Sequence, residues 1–318
     1  MTNDQLRVAV LAGGDSAERE ISLASGRRVL DALSQRGHDV EWFDPARRDL
    51  ARIPWGHFDL AFIALHGGAG EDGRVQARLE AWGVPFTGSG SLAASRAMSK
   101  TAAKARLRAA GVPTLPCVRF EADDPLADIV VRVAEMGYPA VVKPDAQGSS
   151  LGVGFAGDAG ELAARLAAAR RYGALTLAEP WIDGREFTVA MLGHEPLPIL
   201  EIVTPRGLFD FEAKYRSTAT EYRFDTGLPP EIADRVRSAA SAAVAALGTE
   251  GLARVDLMLS RAGDPWVLEV NTVPGMTDHS LAPLAAERAG LAFSEVCDWM
   301  LQDALRRGRH TPVSAVPG

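Results

Sequence analysis

The stretch VLEVNTVPGMTDHS, residues 267–280, sets a carboxylate and an amide two residues apart, Glu269 and Asn271, near what reads as a strand end. Just upstream, ARVDLMLSRAGDPWVLEVN holds two apolar strands around a turn rich in Gly, Asp and Pro, the pattern of a hairpin. Centring the turn between Ala262 and Gly263 pairs Asp256 with Glu269. Arg254, Asp256 and Met258 then share one face, and Val267, Glu269 and Asn271 the matching face, because side chains alternate along a strand. Two carboxylates placed opposite each other repel. Arg254 could offset this alone. A hard divalent cation explains more, since carboxylate and amide oxygens suit Mg2+, which takes its remaining ligands from water and phosphates. The hairpin reads as a Mg2+–nucleotide site.

A phosphate cradle has to lie elsewhere. No G-x-x-x-x-G-K-[ST] occurs, and LAGGDS is not G-x-G-x-x-G, so the P-loop and dinucleotide fingerprints are both absent. The loop QGSSLGVG (147–154) is the best candidate, because small residues let backbone N–H groups approach phosphate oxygens; taken alone, a simple hairpin turn is the alternative. Lys143 stands just before it. Of the 34 basic residues only four are lysine, at 100, 104, 143 and 214. Where arginine is so dominant, a lysine could mark a place that needs a compact ammonium rather than a planar fork; residual drift is the alternative for any single one. LAEPWI and GREF add two acids, Glu179 and Glu186, where a strand edge could read adenine and a carboxylate could hold ribose hydroxyls; surface charge is the alternative.

The elements that must position these groups follow from apolar patterning. RVAVL (7–11) is a continuous apolar run ending in Gly13-Gly14, which reads as a buried parallel strand. Asp15 and Glu18 suggest a capping box opening a helix, with DVEWF and LAFIALHGG as the next strands of an open α/β domain. TGSGS (87–91) reads as a flexible seam. A helix, SKTAAKARLRAAG, leads into a small central domain with strand AVVKP, helix DAGELAARLAAARR (Asp158 and Glu161 as its capping box) and strand LTLAEPW. From about 183 the pattern is strand-rich, interrupted by one helix with a stripe of Ile232, Val236, Ala240, Ala243 and Leu247. The chain divides into 1–95, 96–182 and 183–310, with a tail at 311–318.

A net charge of −7 argues against a nucleic-acid partner. No apolar run is long enough to span a membrane, and the start lacks a signal-peptide pattern, which places the chain in the cytoplasm. Cys117 and Cys297 sit in apolar stretches and read as buried thiols of a reducing compartment.

In order along the chain, GGDSAEREISLASG, ALHGGAGEDGRVQ, FTGSG, KPDAQGSSLGVG, GREFTVAMLG, FEAKY and RVDLML…LEVNTVPGMTDHSL resemble the D-alanine–D-alanine ligases of the ATP-grasp superfamily. The resemblance covers about 7 to 304 and implies a three-domain ATP-grasp fold: an open α/β domain followed by two α+β domains. It implies ATP as co-substrate, two Mg2+ ions with Mn2+ as an alternative, and a homodimer. The product would be D-alanyl-D-alanine for peptidoglycan synthesis.

Carried over residue by residue, Lys100, Lys143 and Lys214 would serve ATP together with Ser150, Glu179, Trp181, Ile182 and Glu186. Asp256, Glu269 and Asn271 would hold the metal. Glu18 would take the ammonium of the first D-alanine, with Ser149 and Tyr215 completing a hydrogen-bonded group. His66 would lie near its carboxylate. Arg254 and the Gly275 N–H would form an oxyanion hole, and Ser280 with the Leu281 N–H would bind the second carboxylate. Lys104 is left to structure. Pro180, Gln147, TEYRFDTGL and DHS depart from the family pattern. They leave a ligase with another D-amino acid or hydroxy acid as second substrate as the alternative. A nucleotide-binding sensor without catalysis is disfavoured, because Arg254 and all three metal ligands are present.

Overall fold

A computed structural model describes residues 5–204 and 219–308. Strands β1 (Arg7–Leu11), β2 (Asp39–Phe43) and β3 (Leu60–Ile63) form a parallel sheet in the order β2-β1-β3. The continuous apolar runs of β1 and β3 are buried on both faces, while β2 alternates and buries only Phe43 fully. Val8, Val10 and Phe62 pack on Val29 and Leu33 of the helix Arg19–Gln35, while Leu11, Phe43 and Ile63 pack on Val75 and Leu79.

The four-stranded antiparallel sheet of the central unit runs β4 (Val118–Phe120), β7 (Thr176–Pro180), β5 (Ala140–Pro144), β6 (Gly154–Ala156). Helices Leu126–Met136 and Ala159–Ala169 cover it through Ile129, Val133, Leu162 and Leu166. The larger sheet contains β8 (Gly184–Leu192), β9 (Glu195–Pro196), β10 (Leu200–Val203), β11 (Glu221–Arg223), β12 (Leu252–Ser260) and β13 (Pro265–Asn271). Its order is β11-β10-β8-β12-β13, with β9 on β8. Helix Pro230–Leu247 lies over one face through Val236, Ala240, Ala243 and Leu247, and ends at Gly248 in the left-handed conformation. Ile232, expected in that stripe, is only partly buried.

Four expectations need correction. The Asp15–Glu18 capping box does not form: Glu18 is the N-cap residue, but its side chain makes no cap bond, and the Ser16 hydroxyl accepts from the Glu18 N–H instead. Glu18's carboxylate is spent on a partner 131 residues away. The 87–91 seam is pinned rather than loose. Thr87 and Ser89 are buried, Ser89 exchanges hydrogen bonds with the backbone of Glu250, and Gly251 lies so close to Gly88 that a side chain there would collide. Cys297 is buried, and burial pushes its thiol up to about 12, but Cys117 is only half-buried.

The fourth correction concerns the hairpin. Asp256 does face Glu269 and Arg254 faces Asn271, but the register shifts between Asp256 and Leu257, so that Leu257 faces Val267. β12 stays in even register with β8, which puts the extra residue, Leu268, in β13. Val267 is thereby turned into the core beside Val255 and Leu257, while Leu268 joins Glu269 on the cavity side. A bulge re-aims side chains in this way without breaking the ladder.

The last helix, Phe293–Gly308, returns to the first unit. Cys297, Met300 and Leu301 join its core, and Asp298 pairs with both Arg36 and His38. Gly26 permits the tight contact of Arg19–Gln35 with β1, since a Cβ there would lie 2.3 Å from that of Ala12. Alanine raises helix propensity by about 1 kcal/mol, but overpacking costs about 1–3 kcal/mol. Gly26→Ala is therefore expected to lower the urea midpoint of unfolding; a raised midpoint would show that propensity wins.

Candidate functional site

Two adjoining cavities, of about 470 and 90 Å3, lie where the three units meet. Lys100, Gln147 and Glu269 line both. Every candidate site residue within the described part of the chain lines one or both; Lys214 and Tyr215 lie outside the described residues.

The larger cavity begins at Glu18. Gly67 and Gly148 flank its carboxylate, and a Cβ on either would meet Oε2, at 2.5 and 3.0 Å. Ser149 donates its hydroxyl hydrogen bond to Glu18 Oε1, joining the central loop to the first unit. Ser149 and Ser150 both have φ of +52°, a left-handed conformation that costs non-glycine residues about 1–2 kcal/mol each. Such strain persists only where surrounding contacts hold it.

His66 is held from both sides. Its Nδ1–H donates to the Val273 carbonyl at 3.0 Å, so Nε2 accepts from the Ser25 hydroxyl at 2.9 Å. Ser25 Oγ in turn accepts from the Met276 N–H at 3.1 Å. Helix Arg19–Gln35 thus fixes the residue immediately after Gly275. Gly275 approaches Ser280 so closely that a Cβ would sit 2.6 Å from Ser280 Oγ. Ser280 Oγ accepts from the Thr277 N–H at 3.0 Å and precedes helix Leu281–Arg288, whose first N–H groups favour an anion. Asp278, where DHS departs from the family pattern, pairs with Arg28 at 2.8 Å.

Lys100 opens helix Lys100–Ala109. Ser99 caps that helix, and Asp145 accepts from both Ser99 Oγ and the Thr101 N–H, at 2.7 and 2.8 Å. The ammonium of Lys100 reaches the Gln147 carbonyl at 2.8 Å and Glu269 at 3.4 Å. Arg254 forks onto Asp256, Nε to Oδ1 at 2.9 Å and a terminal nitrogen to Oδ2 at 2.8 Å, and Thr188 donates to Oδ1 at 2.7 Å. Each carboxylate of the opposed pair therefore has its own cation.

The donor set still fits Mg2+. Two carboxylates and the Asn271 amide oxygen are hard ligands, Asp256 lining the smaller cavity, Asn271 the larger and Glu269 both, and each carboxylate oxygen carries two lone-pair sites. Among the described residues no three acidic, histidine or cysteine side chains converge, so a cation here would draw further ligands from phosphates and water.

The smaller cavity is walled by Lys143, Ser150, Glu179, Trp181, Ile182 and Glu186. Lys143 pairs with Glu179 Oε2 at 2.7 Å. Burial opposes charge on both, yet the pairing prevails: Lys143 is raised above its ordinary value and Glu179, facing Lys143 and Lys104, is lowered. The Trp181 N–H bonds to Pro139 O at 2.9 Å, so the missing N–H of Pro180 faces the other side, past the end of β4. Proline costs the ladder nothing there.

Sequence reading missed Ser25, Thr188 and Tyr222 as members of the site. Ser22 and Ser25 stand on the buried stripe of their helix, and a polar residue at a core position is the signal that marks them. Thr188 shares the alternation of Glu186 along β8. Tyr222 lines the larger cavity, where burial raises its phenol against the opposing charge of Arg254.

Two family profiles match the chain: "D-ala D-ala ligase N-terminus" over residues 41–89 and "D-ala D-ala ligase C-terminus" over 107–302. A D-alanine–D-alanine ligase of Alkalilimnicola ehrlichii is 48% identical over 306 residues, 96% of this chain and 97% of that protein. One from Laribacter hongkongensis is 45% identical over 298 residues, 94% and 96% of the two chains. The ATP-complexed D-alanine–D-alanine ligase of Bacillus anthracis superposes with a TM-score of 0.85 at 31% identity, covering 96% and 99%. The VanG D-Ala:D-Ser ligase of Enterococcus faecalis gives 0.84 at 27% identity, covering 95% and 100%.

The folded pKa of Glu179 is lowered below 4.5, so its contribution to stability is full above 4.5 and is lost as pH falls through the folded value. Urea midpoints measured from pH 6 down to about 3 are expected to fall less steeply for Glu179→Gln than for the wild type. Equal slopes would refute the assignment.

Proposed function

The chain belongs to the D-alanine–D-alanine ligase family, and on that premise we propose how its residues join two D-alanine molecules. It is an ATP-dependent, ADP-forming ligase with the ATP-grasp fold, making D-alanyl-D-alanine for peptidoglycan precursors. The observation that carries the assignment of roles is the shared wall of the two cavities. Lys100, Gln147 and Glu269 stand where a nucleotide's terminal phosphate and a substrate carboxylate would meet.

In this reading ATP lies in the smaller cavity, its adenine along Glu179–Ile182 and its ribose at Glu186. Lys100, Lys143 and Lys214 neutralise the phosphates, with Ser150 in the loop over them. Asp256, Glu269 and Asn271 would hold Mg2+, which when bound supplies positive charge to the phosphate oxygens. Glu18 takes the ammonium of the first D-alanine, supported by Ser149 and Tyr215, and its carboxylate is oriented beside His66. That carboxylate attacks the γ-phosphorus; the new O–P bond forms as the bond to ADP breaks, leaving an acyl phosphate.

The second D-alanine, its carboxylate on Ser280 and the Leu281 N–H, attacks the acyl carbon with its neutral amine, whose nitrogen gives up one proton as the C–N bond forms. Arg254 and the Gly275 N–H stabilise the tetrahedral oxyanion, and phosphate leaves as the peptide bond forms. The fork on Asp256 supports a double role for Arg254, since one side chain would set both a metal ligand and the oxyanion donor.

The domain limits 1–95, 96–182 and 183–310, the homodimer and the cytoplasmic location belong to the same proposal. Among the described residues no helix is long and apolar enough to cross a membrane.

With Mg2+-ATP and D-alanine alone, one ADP and one phosphate are expected per dipeptide, with products identified by mass. L-alanine, D-serine and D-lactate should turn over far more slowly. Product from another acceptor but none from D-alanine would overturn the specificity. Arg254→Lys keeps the charge and loses the fork, and kcat is expected to fall by about a hundredfold or more; near-normal kcat would remove Arg254 from the oxyanion hole.

A further inference from the structure

Lys104 has no place in the reaction outlined above, yet it is fully buried and ionically paired. Its ammonium lies 2.9 Å from Glu179 Oε1, 3.0 Å from Thr114 Oγ1 and 3.2 Å from the Leu115 carbonyl. It donates hydrogen bonds to Thr114 and Leu115 and pairs ionically with Glu179, a close three-sided set that suits a compact ammonium and not a planar guanidinium. Thr114 donates its own hydroxyl hydrogen bond to the Val267 carbonyl at 2.7 Å, and the Val267 N–H bonds to Pro113 O. The same node therefore reaches the adenine strand through Glu179, the cavity wall through Leu115, and β13 two residues before Glu269.

Charge makes this more than scaffolding. Glu179 is shared, Oε1 with Lys104 and Oε2 with Lys143. Lys104 and Glu179 cancel, so the group of three carries one net positive charge. Only Lys143 of the two lysines lines the cavity. We propose that Lys104 is a positioning residue of the nucleotide site: by holding one oxygen of Glu179, it leaves the charge of Lys143 uncancelled and turned toward the nucleotide phosphates. The inference rests on the reading of the smaller cavity as the ATP site. Without Lys104, Lys143 becomes the sole counter-ion of a buried carboxylate, and a buried carboxylate holds such a partner strongly.

The loss should therefore grow with the number of phosphates. Calorimetric Kd values for ATP, ADP and adenosine are to be measured with Mg2+ present on the full chain. Wild-type protein that failed to bind ATP would remove the nucleotide reading itself, before any variant is considered. Given wild-type binding, Lys104→Met is expected to weaken ATP by about tenfold or more, ADP by less, and adenosine by under about twofold, because the missing term is electrostatic and acts on phosphate.

Adding Glu179→Gln removes the carboxylate that captured Lys143. The double variant should then regain an ATP-to-adenosine affinity ratio within about threefold of wild type. Equal weakening of all three ligands, or none, would show a merely structural lysine and overturn the proposal. If the single variant does not fold, the double variant decides: a ratio still about tenfold low overturns the proposal, and a restored ratio supports it.

Discussion

Carboxylates have to stay ionised in poorly hydrated surroundings around these two cavities, and the rest of the site is arranged by that need. Glu179 is 1% exposed and Asp256 4% by side chain, and Glu269 stands opposite Asp256 on the neighbouring strand. Removing charge from water costs several kcal/mol per ion unless it is paired. The chain meets the cost with at least one cation for each: Lys104 and Lys143 on Glu179, the Arg254 fork on Asp256, Lys100 on Glu269. Those partners come from a helix, from the end of β5 and from β12 itself. The carboxylates thus fix how the central unit sits against the larger sheet.

A second constraint acts across the units. Glu18 enters from the first unit, between Gly67 and Gly148, and Ser149 meets it only by holding two successive residues at φ of +52°. Ser25 and His66 carry the same unit to Met276, next to the backbone N–H of Gly275. The last helix docks back on the first through Asp298, with Arg36 and His38. Glu18 and the backbone beside Gly275 are therefore set by contacts between units, while Lys143 and Arg254 are set by partners within their own sheets.

How much of this was legible in the sequence depends on the range of each interaction. The pairing of Asp256 with Glu269 follows from strand alternation and a turn, both local, and was readable. The bulge at Leu268 was not, because one added residue leaves the apolar pattern looking regular while it turns Val267 into the core. Local pattern read Glu18 as a cap; its bond to a serine 131 residues away was legible only through the family resemblance. Helix Leu126–Met136 was not recognised, although its Ile129 and Val133 are fully buried. The scarcity of lysine pointed at Lys100 and Lys143 correctly as cavity residues. The same scarcity should have drawn notice to Lys104, whose meaning appears only when its burial is known. Lys214 and Tyr215 fall outside the described residues.

The central claim is that the opposed carboxylates, each held by its own cation, form a cation site for the nucleotide phosphates. Mn2+ binding, followed by electron paramagnetic resonance with a non-hydrolysable ATP analogue present, tests it most directly and without reliance on turnover. The account predicts saturable binding that weakens about tenfold or more in Asp256→Asn and in Glu269→Gln, and is unchanged in Asp44→Asn, a carboxylate held by Arg19 outside both cavities. Affinity unchanged by both hairpin substitutions would contradict it.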